Sequence, residues 1–412
     1  MGDPAAYAAF AERLTATGII SDPWIYGEPR FRREPVVISR RDAARMQRAA
    51  EDVAMVYNEL CLVVGDAPAL LDDFFCLTPW QKAMWLASQP LWHGVARADV
   101  FVTDEGLAFA ELNCDTPTGE AEAVVLGRLG LEDHPDAVDP NAPFERAFRD
   151  VVRAVGGAEL EENPVVGLIY PTEIPEDLPL VRLYKAWLER AGKRVLLGSP
   201  YNLGVDERGL TLFDEPVALA LRHYKTDWWG ERQSAWKDED VPDKKPLDQP
   251  LESVLAACME GKVSVLNPFG AVVPQNKRAM ALMWEQIHRF TPQSQDIIRR
   301  FIPVTRRLEA VHAEQLVAQR SDWVLKSDYG AEGDEVVIGR AVTDDEWAKS
   351  ISLAREGRWI VQRYFEAKVE PDGSTVNHGV FVLGGQAAGL YARIQRGATD
   401  ERALSAPMLV RG

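Results

Sequence analysis

Histidine, cysteine and positive charge are all scarce in this 412-residue chain, and each shortage excludes something. The four cysteines (Cys61, Cys76, Cys114, Cys258) are widely spread with no CxxC pair, which argues against zinc and against a disulfide framework. The six histidines form no convincing Ser/His/Asp or Cys/His set. A net charge of −17 argues against a nucleic-acid binder, which needs a basic face, and against adhesion to anionic membranes. No apolar run approaches the roughly 20 residues that span a bilayer. The opening MGDPAAYAAFAERL lacks the charged start and apolar core of a secretory signal, so a cytoplasmic enzyme is the expectation.

What is present is ordinary globular material with a patterned centre. The length suits two or three packed subdomains. Apolar residues at helical spacing over 41–64 predict a largely helical N-terminal region, 1–92. PVVGLIY (164–170), a helix over 180–195 ended near Gly192 and a following strand predict an α/β subdomain over 161–265. KDEDVPDKKPLDQP (237–250) reads as a surface loop. Helical spacing returns at 276–290 and 306–320, and the last ninety or so residues alternate short strands with Gly-rich turns.

Residues 94–113 read as a β-hairpin within a segment 93–160. The even positions Ala98, Val100, Val102, Ala108, Ala110 and Leu112 are all apolar, while the odd face carries Arg97, Asp99, Glu111 and Asn113. A three-residue turn at Asp104-Glu105-Gly106 puts Thr103 opposite Leu107, Asp99 opposite Glu111 and Arg97 opposite Asn113. Facing carboxylates repel, at about 0.2–1 kcal/mol when exposed and more when buried. Two carboxylates with an amide oxygen make a hard-oxygen set suited to Mg²⁺, although Arg97 by itself can neutralise both acids. The following DTPTGEAEA leads into a helix and offers a loop-to-helix site for an anion or substrate.

DWVLKSDYGAEGDEVVIG (322–339) reads as strand, Gly-containing turn, strand, with Lys326 ending the first strand. Such a loop either cradles phosphates or is simply a turn. Lys277 begins a helix, where a cation is mildly unfavourable unless it points away or meets an anion. Arg393 shares parity with Tyr391 on a C-terminal strand and is either a surface residue or a bidentate clamp.

These pieces together resemble the synthetase domain of glutathionylspermidine synthase and its amidase-free relatives, in the ATP-grasp superfamily. The motifs are Arg97-x-Asp99, Glu111-x-Asn113-x-Asp115 with Thr116-Pro117-Thr118, Gln275-Asn276-Lys277, Lys326-x-x-x-Gly330-x-Glu332-Gly333, Gln362 and Arg393. The resemblance implies an α+β ATP-grasp fold. Two α+β lobes (266–412) would enclose ATP, with an additional α/β pre-ATP-grasp-like subdomain and a helical N-terminal region. It implies Mg²⁺ on Asp99, Glu111 and Asn113, and ATP on Lys277, Lys326, Gly330, Glu332, Gly333 and Gln362. Arg97 and Arg393 would flank the reacting groups. Asp115, Thr116, Thr118, Glu176, Asp177 and Thr226 would meet the substrates. The activity implied is ATP-dependent ligation of a carboxylate (glutathione or another peptide) to an amine such as a polyamine, through an acyl phosphate. An ATP-grasp ligase joining other partners, or a nucleotide binder without catalysis, remains open. The family's usual Lys-Pro and Gly-Arg-Glu-Gly read here Lys326-Ser327 and Gly330-Ala331-Glu332-Gly333, and without an N-terminal segment carrying a catalytic Cys and His the amidase activity of the bifunctional enzymes is not expected.

Overall fold

Alternating apolar strands at both ends of the sequence build one sheet. In the computed structural model, which describes residues 4–231, 247–330, 335–397 and 402–412, five antiparallel strands lie in the order Leu404–Ala406, Gln386–Gln395, Thr375–Leu383, Val95–Thr103, Gly106–Asn113. The early hairpin thus pairs edge to edge with the C-terminal one: Gly379 lies opposite Asp99 and His378 opposite Val100. One face of this sheet (Ala96, Ala98, Val100, Val380, Val382) shares a core with the long helix Arg40–Asp66. Ser39 caps that helix by accepting the Asp42 N–H. On the other face, Val95, Phe381 and Leu383 pack with Phe144 and Phe148 of the helix Phe144–Glu162. The charged odd-numbered residues of the hairpin share this second face.

The hairpin differs from its expected form in a compensated way. Thr103 lies opposite Gly106, not Leu107, so the turn is one residue shorter than expected. A β-bulge between Asp99 and Val100 on the pairing ladder leaves Ala110 as the extra residue and restores Asp99 opposite Glu111 and Arg97 opposite Asn113. The bulge also reverses the parity of the second strand's early part. Leu107 and Phe109, not Ala108 and Ala110, stand on the side of Val100 and Val102. The physical gain is plain: Phe109 is buried against Phe301, ring centroids 5.6 Å apart, where an alanine would leave a void.

Two four-stranded sheets bear on the site, beside three smaller sheets among the described residues. A parallel sheet in the order Ser264–Leu266, Leu219–Arg222, Val165–Ile169, Arg194–Gly198 carries the expected strand–helix–strand unit, its helix spanning Leu178–Arg190. An antiparallel sheet runs Thr305–Arg307, Trp359–Arg363, Trp323–Ser327, Val336–Ile338. Helix was expected over 306–320, but only Ala313–Ala318 is α-helical there. Strand pairing takes the start of that segment, because Thr305 lies opposite Gln362 and joins the edge of the sheet. Of the loop expected at 237–250, residues 237–246 lie outside the described residues, while Leu247 is buried and Asp248 begins the helix Asp248–Met259. Among the described residues no helix is long and apolar enough to cross a membrane.

Candidate active site

The site grows from the hairpin's charged face. Arg97 and Asp99 point the same way from one strand, and the Arg97 guanidinium closes a fork on the Asp99 carboxylate, Nε to Oδ1 at 2.7 Å and Nη2 to Oδ2 at 3.1 Å. Both are buried, at 7% and 2% exposure. The remaining Arg97 nitrogen, Nη1, donates to the Thr118 carbonyl at 2.7 Å and fixes the loop that follows the hairpin. Burial works against the Arg97 charge, but Asp99 outweighs it and holds the guanidinium firmly protonated. Sheet pairing then brings two residues from nearly three hundred positions away: Asn377 Nδ2 donates to Asp99 Oδ2 at 3.2 Å, and Arg393 Nη2 lies 3.4 Å from the same oxygen.

Across the hairpin, Glu111 belongs to a second group. Lys277 Nζ lies 3.4 Å from Glu111 Oε2 and donates to the Gly330 carbonyl at 2.5 Å. Lys326 Nζ donates to Gln362 Oε1 at 2.8 Å and reaches the carbonyl of the bulge residue Ala110 at 3.4 Å. Gln362, 1% exposed, is oriented by donating its amide to Thr305 Oγ1 at 3.1 Å. Burial favours the neutral form of Glu111, yet Lys277, Lys326 and Arg97 together hold its carboxyl at about 2. Burial pulls the Lys326 ammonium down to about 8 against the attraction of Glu111, with Lys277 adding to the fall. Asp328 ties the lysine-bearing elements together. Its carbonyl accepts the Lys277 N–H at 2.9 Å, and its Oδ2 meets Asn276 Nδ2 at 3.1 Å and Arg358 Nε at 2.8 Å.

The metal set was inferred from repulsion between facing carboxylates. Asp99 and Glu111 do face each other, but Arg97 relieves the charge on one side and Lys277 on the other, so the repulsion alone no longer requires a metal. Among the described residues no cluster of three His, Cys, Asp or Glu side chains is placed to hold one. The mixed set still fits Mg²⁺ by its chemistry. Glu111 is held ionised, Asp99 stands opposite, and Asn113 lies beside Glu111, its Nδ2 3.3 Å from Oε1.

The remaining expected residues scatter. Gly330 joins the lysine group through its carbonyl, whereas Glu332 and Gly333 lie outside the described residues. Gln275 Oε1 accepts the N–H groups of Cys114 and Asp115 at 2.8 and 3.0 Å, holding the end of the hairpin. Asp115 and Thr226 meet each other: Asp115 Oδ2 accepts the Thr226 N–H at 2.8 Å and its hydroxyl at 3.1 Å, with Thr226 fully buried. Asp115 Oδ1 forms a buried ion pair with Arg222 at 2.6 Å. Both residues therefore brace the junction between the hairpin loop and the parallel sheet. Thr116 is half-buried, and Thr118 contributes its carbonyl to Arg97. Asp177 Oδ1 lies 3.3 Å from His223 Nε2, and Glu176 is exposed. Asp177 follows the strand Val165–Ile169, and His223 follows Leu219–Arg222. Both thus sit beyond the carboxyl ends of parallel strands, where α/β sheets place ligands.

Sequence reasoning missed Asn377, Asp328, Arg358, Arg222 and His223. Two carried a legible signal, a polar Asn377 inside the apolar run TVNHGVFV and an Arg222 closing the buried strand LALR.

The sheets and the helices around them make this an α+β protein of the ATP-grasp class. The chain belongs to the family described as glutathionylspermidine synthase pre-ATP-grasp, whose model matches residues 26–411. Among solved structures, a glutathione synthetase-like effector of Globodera pallida in its apo form is 12% identical, with 99% of this chain and 98% of that one covered and a TM-score of 0.58, which shows a shared fold. A protein of Methylobacillus flagellatus assigned as a gamma-glutamylcysteine synthetase is 16% identical over 86% of this chain and 85% of its own, with a TM-score of 0.48. No curated protein matches the sequence.

Proposed function

We propose that the chain is an ATP-dependent carboxylate–amine ligase that forms an amide through an acyl phosphate. The observation that carries this reading is the meeting of two lysines from separate elements, Lys277 and Lys326, beside Glu111 and across the hairpin from the Arg97–Asp99–Arg393 cluster. The lysines would hold the phosphates of ATP, with Gln362 fixing the approach of Lys326. Asp99, Glu111 and Asn113 would hold Mg²⁺, which when bound neutralises phosphate charge and orients the transferring group. Arg97 and Arg393 would bind the substrate carboxylate and stabilise the oxyanion that develops at its carbon. No side-chain nucleophile is needed, because the carboxylate itself attacks the γ-phosphate. An acyl phosphate hydrolyses in water, so the buried Arg97 environment favours its survival. The amine would enter beside Asp177 and His223.

The family's name directs the first test to a thiol peptide and a polyamine. The chain is incubated with ATP, Mg²⁺ and a matrix of thiol peptides, amino acids and polyamines, with ADP as the readout. The expected result is ADP release that requires both a carboxylate and an amine. Tight ATP binding without turnover under every pair would remove the ligase reading in favour of a nucleotide-binding protein without catalysis.

A further inference from the structure

One buried acid beside the site has no part in the chemistry above. Glu120 opens the helix Glu120–Asp133 and is fully buried. Its Oε1 accepts the Tyr184 hydroxyl at 3.1 Å, whereas its Oε2 has no hydrogen-bond partner among the described residues. A buried carboxylate oxygen without a donor is costly, and native structures rarely keep one without a use.

Its position gives the use. Thr118, two residues earlier, accepts Arg97 at 2.7 Å. Gly119 between them has φ of +96°, and a Cβ there would lie 2.7 Å from Cε1 of Tyr391. The Arg97 guanidinium lies 5.9 Å from the centre of that same Tyr391 ring. Glu120 is therefore mounted on the loop that holds the arginine assigned to the acyl group. The titratable and charged groups that act on it are Tyr184 from the helix Leu178–Arg190, His223 from the end of Leu219–Arg222 and Arg97 from Val95–Thr103, with Tyr391 of Gln386–Gln395 beyond Gly119. The other acids near the site are already engaged, Asp99 by Arg97, Asp115 by Arg222 and Asp177 by His223.

Resting on the ligase reading, we infer that Glu120 accepts the proton of the incoming amine. In that step the nitrogen lone pair forms the C–N bond to the acyl carbon. The bond from that carbon to the phosphate oxygen breaks, and its electron pair leaves with phosphate. The N–H proton passes to Glu120 Oε2, while Tyr184 steadies Oε1. Burial raises this carboxyl to about 7, with its own backbone N–H, His223, Arg97 and Tyr184 opposing the rise, so it can exchange a proton near neutral pH.

The test uses the whole chain with ATP, Mg²⁺, glutathione and spermidine, and follows spermidine-dependent ADP release against pH. In the wild type kcat/KM for spermidine should climb through about pH 7. Glu120→Gln should lower it about 10²–10⁴-fold and abolish that limb, with binding of a non-hydrolysable ATP analogue confirming the fold. Tyr184→Phe removes a donor to the charged form, so it should move the limb to higher pH, which a merely structural contact would not do. This second variant decides the matter should Glu120→Gln fail to fold. A Glu120→Gln or Tyr184→Phe profile that coincides with an active wild type overturns the inference about Glu120. A wild type that releases no ADP with any carboxylate and amine overturns the ligase reading beneath it.

Discussion

The arginine group and the lysine group each hold two cations around one carboxylate, yet they hold them differently. Arg97 grips Asp99 with two bonds of 2.7 and 3.1 Å, and Asn377 and Arg393 close in on the same acid. Lys277 stands 3.4 Å from Glu111, and Lys326 is steadied by the neutral Gln362. A planar fork fits a carboxylate and defines its orientation, whereas an ammonium acts as a point charge that accepts several geometries. Under the proposed function the first group would orient a carboxyl and the second would attract a polyphosphate, whose oxygens turn freely.

Breaking the arginine group should have the largest effect. Asp99→Asn leaves Arg97 buried without its counter-charge, a loss of about 3–5 kcal/mol in unfolding free energy by denaturant titration. Glu111→Gln should cost clearly less, since the Glu111 side chain is 26% exposed and Lys277 keeps its bond to Gly330. Equal losses at the two positions would erase the contrast. Next comes Arg97→Lys, which keeps the charge and loses the fork. ADP release should fall about 10²–10³-fold while affinity for the ATP analogue changes little. Lys326→Met should do the reverse, weakening that affinity about 10- to 150-fold, the equivalent of a charge-assisted hydrogen bond of about 1.5–3 kcal/mol, as read by calorimetry.

The smallest effect is in pH. Lys326 falls to about 8 in the folded chain, below its ordinary value, so between those two values the unfolded chain binds the extra proton and this residue's contribution to stability rises with pH. Nucleotide affinity should run the opposite way, falling as pH passes upward through about 8, because the ammonium is lost. Glu111 acts at the other end. Its folded value of about 2 lies below its ordinary one, so its stabilisation is complete above the ordinary carboxylate range and is lost as pH falls toward 2. Lys326→Met should flatten the affinity profile near pH 8, and an unchanged slope would detach that lysine from the nucleotide.

The difference between the groups also explains what the sequence disclosed. Asp99 facing Glu111 was legible, because burying charged residues forbids other registers. The bulge at Ala110 was not, since Leu107 and Phe109 on one parity and Ala108 and Ala110 on the other are all apolar, and hydropathy cannot choose between them. Volume chose, by burying Phe109. The strand at Thr305–Arg307 was hidden for a related reason. Its helical spacing is local, while the pairing with Trp359–Arg363 that overrides it is long-range. Lys277 and Lys326 stood out within motifs, but the residues that aim them, Asp328 and Arg358, gain meaning only through contacts between distant segments. Asn377 reaches Asp99 only because the two hairpins share a sheet.

The central claim is that the arginine group delivers a carboxylate to a phosphate held by the lysines. Isotope transfer tests it most directly: a carboxylate substrate labelled with ¹⁸O is turned over with ATP and an amine, and the released phosphate is analysed by mass. One labelled oxygen in the phosphate for each amide formed is the result expected. Phosphate without label, alongside amide formation, would contradict it.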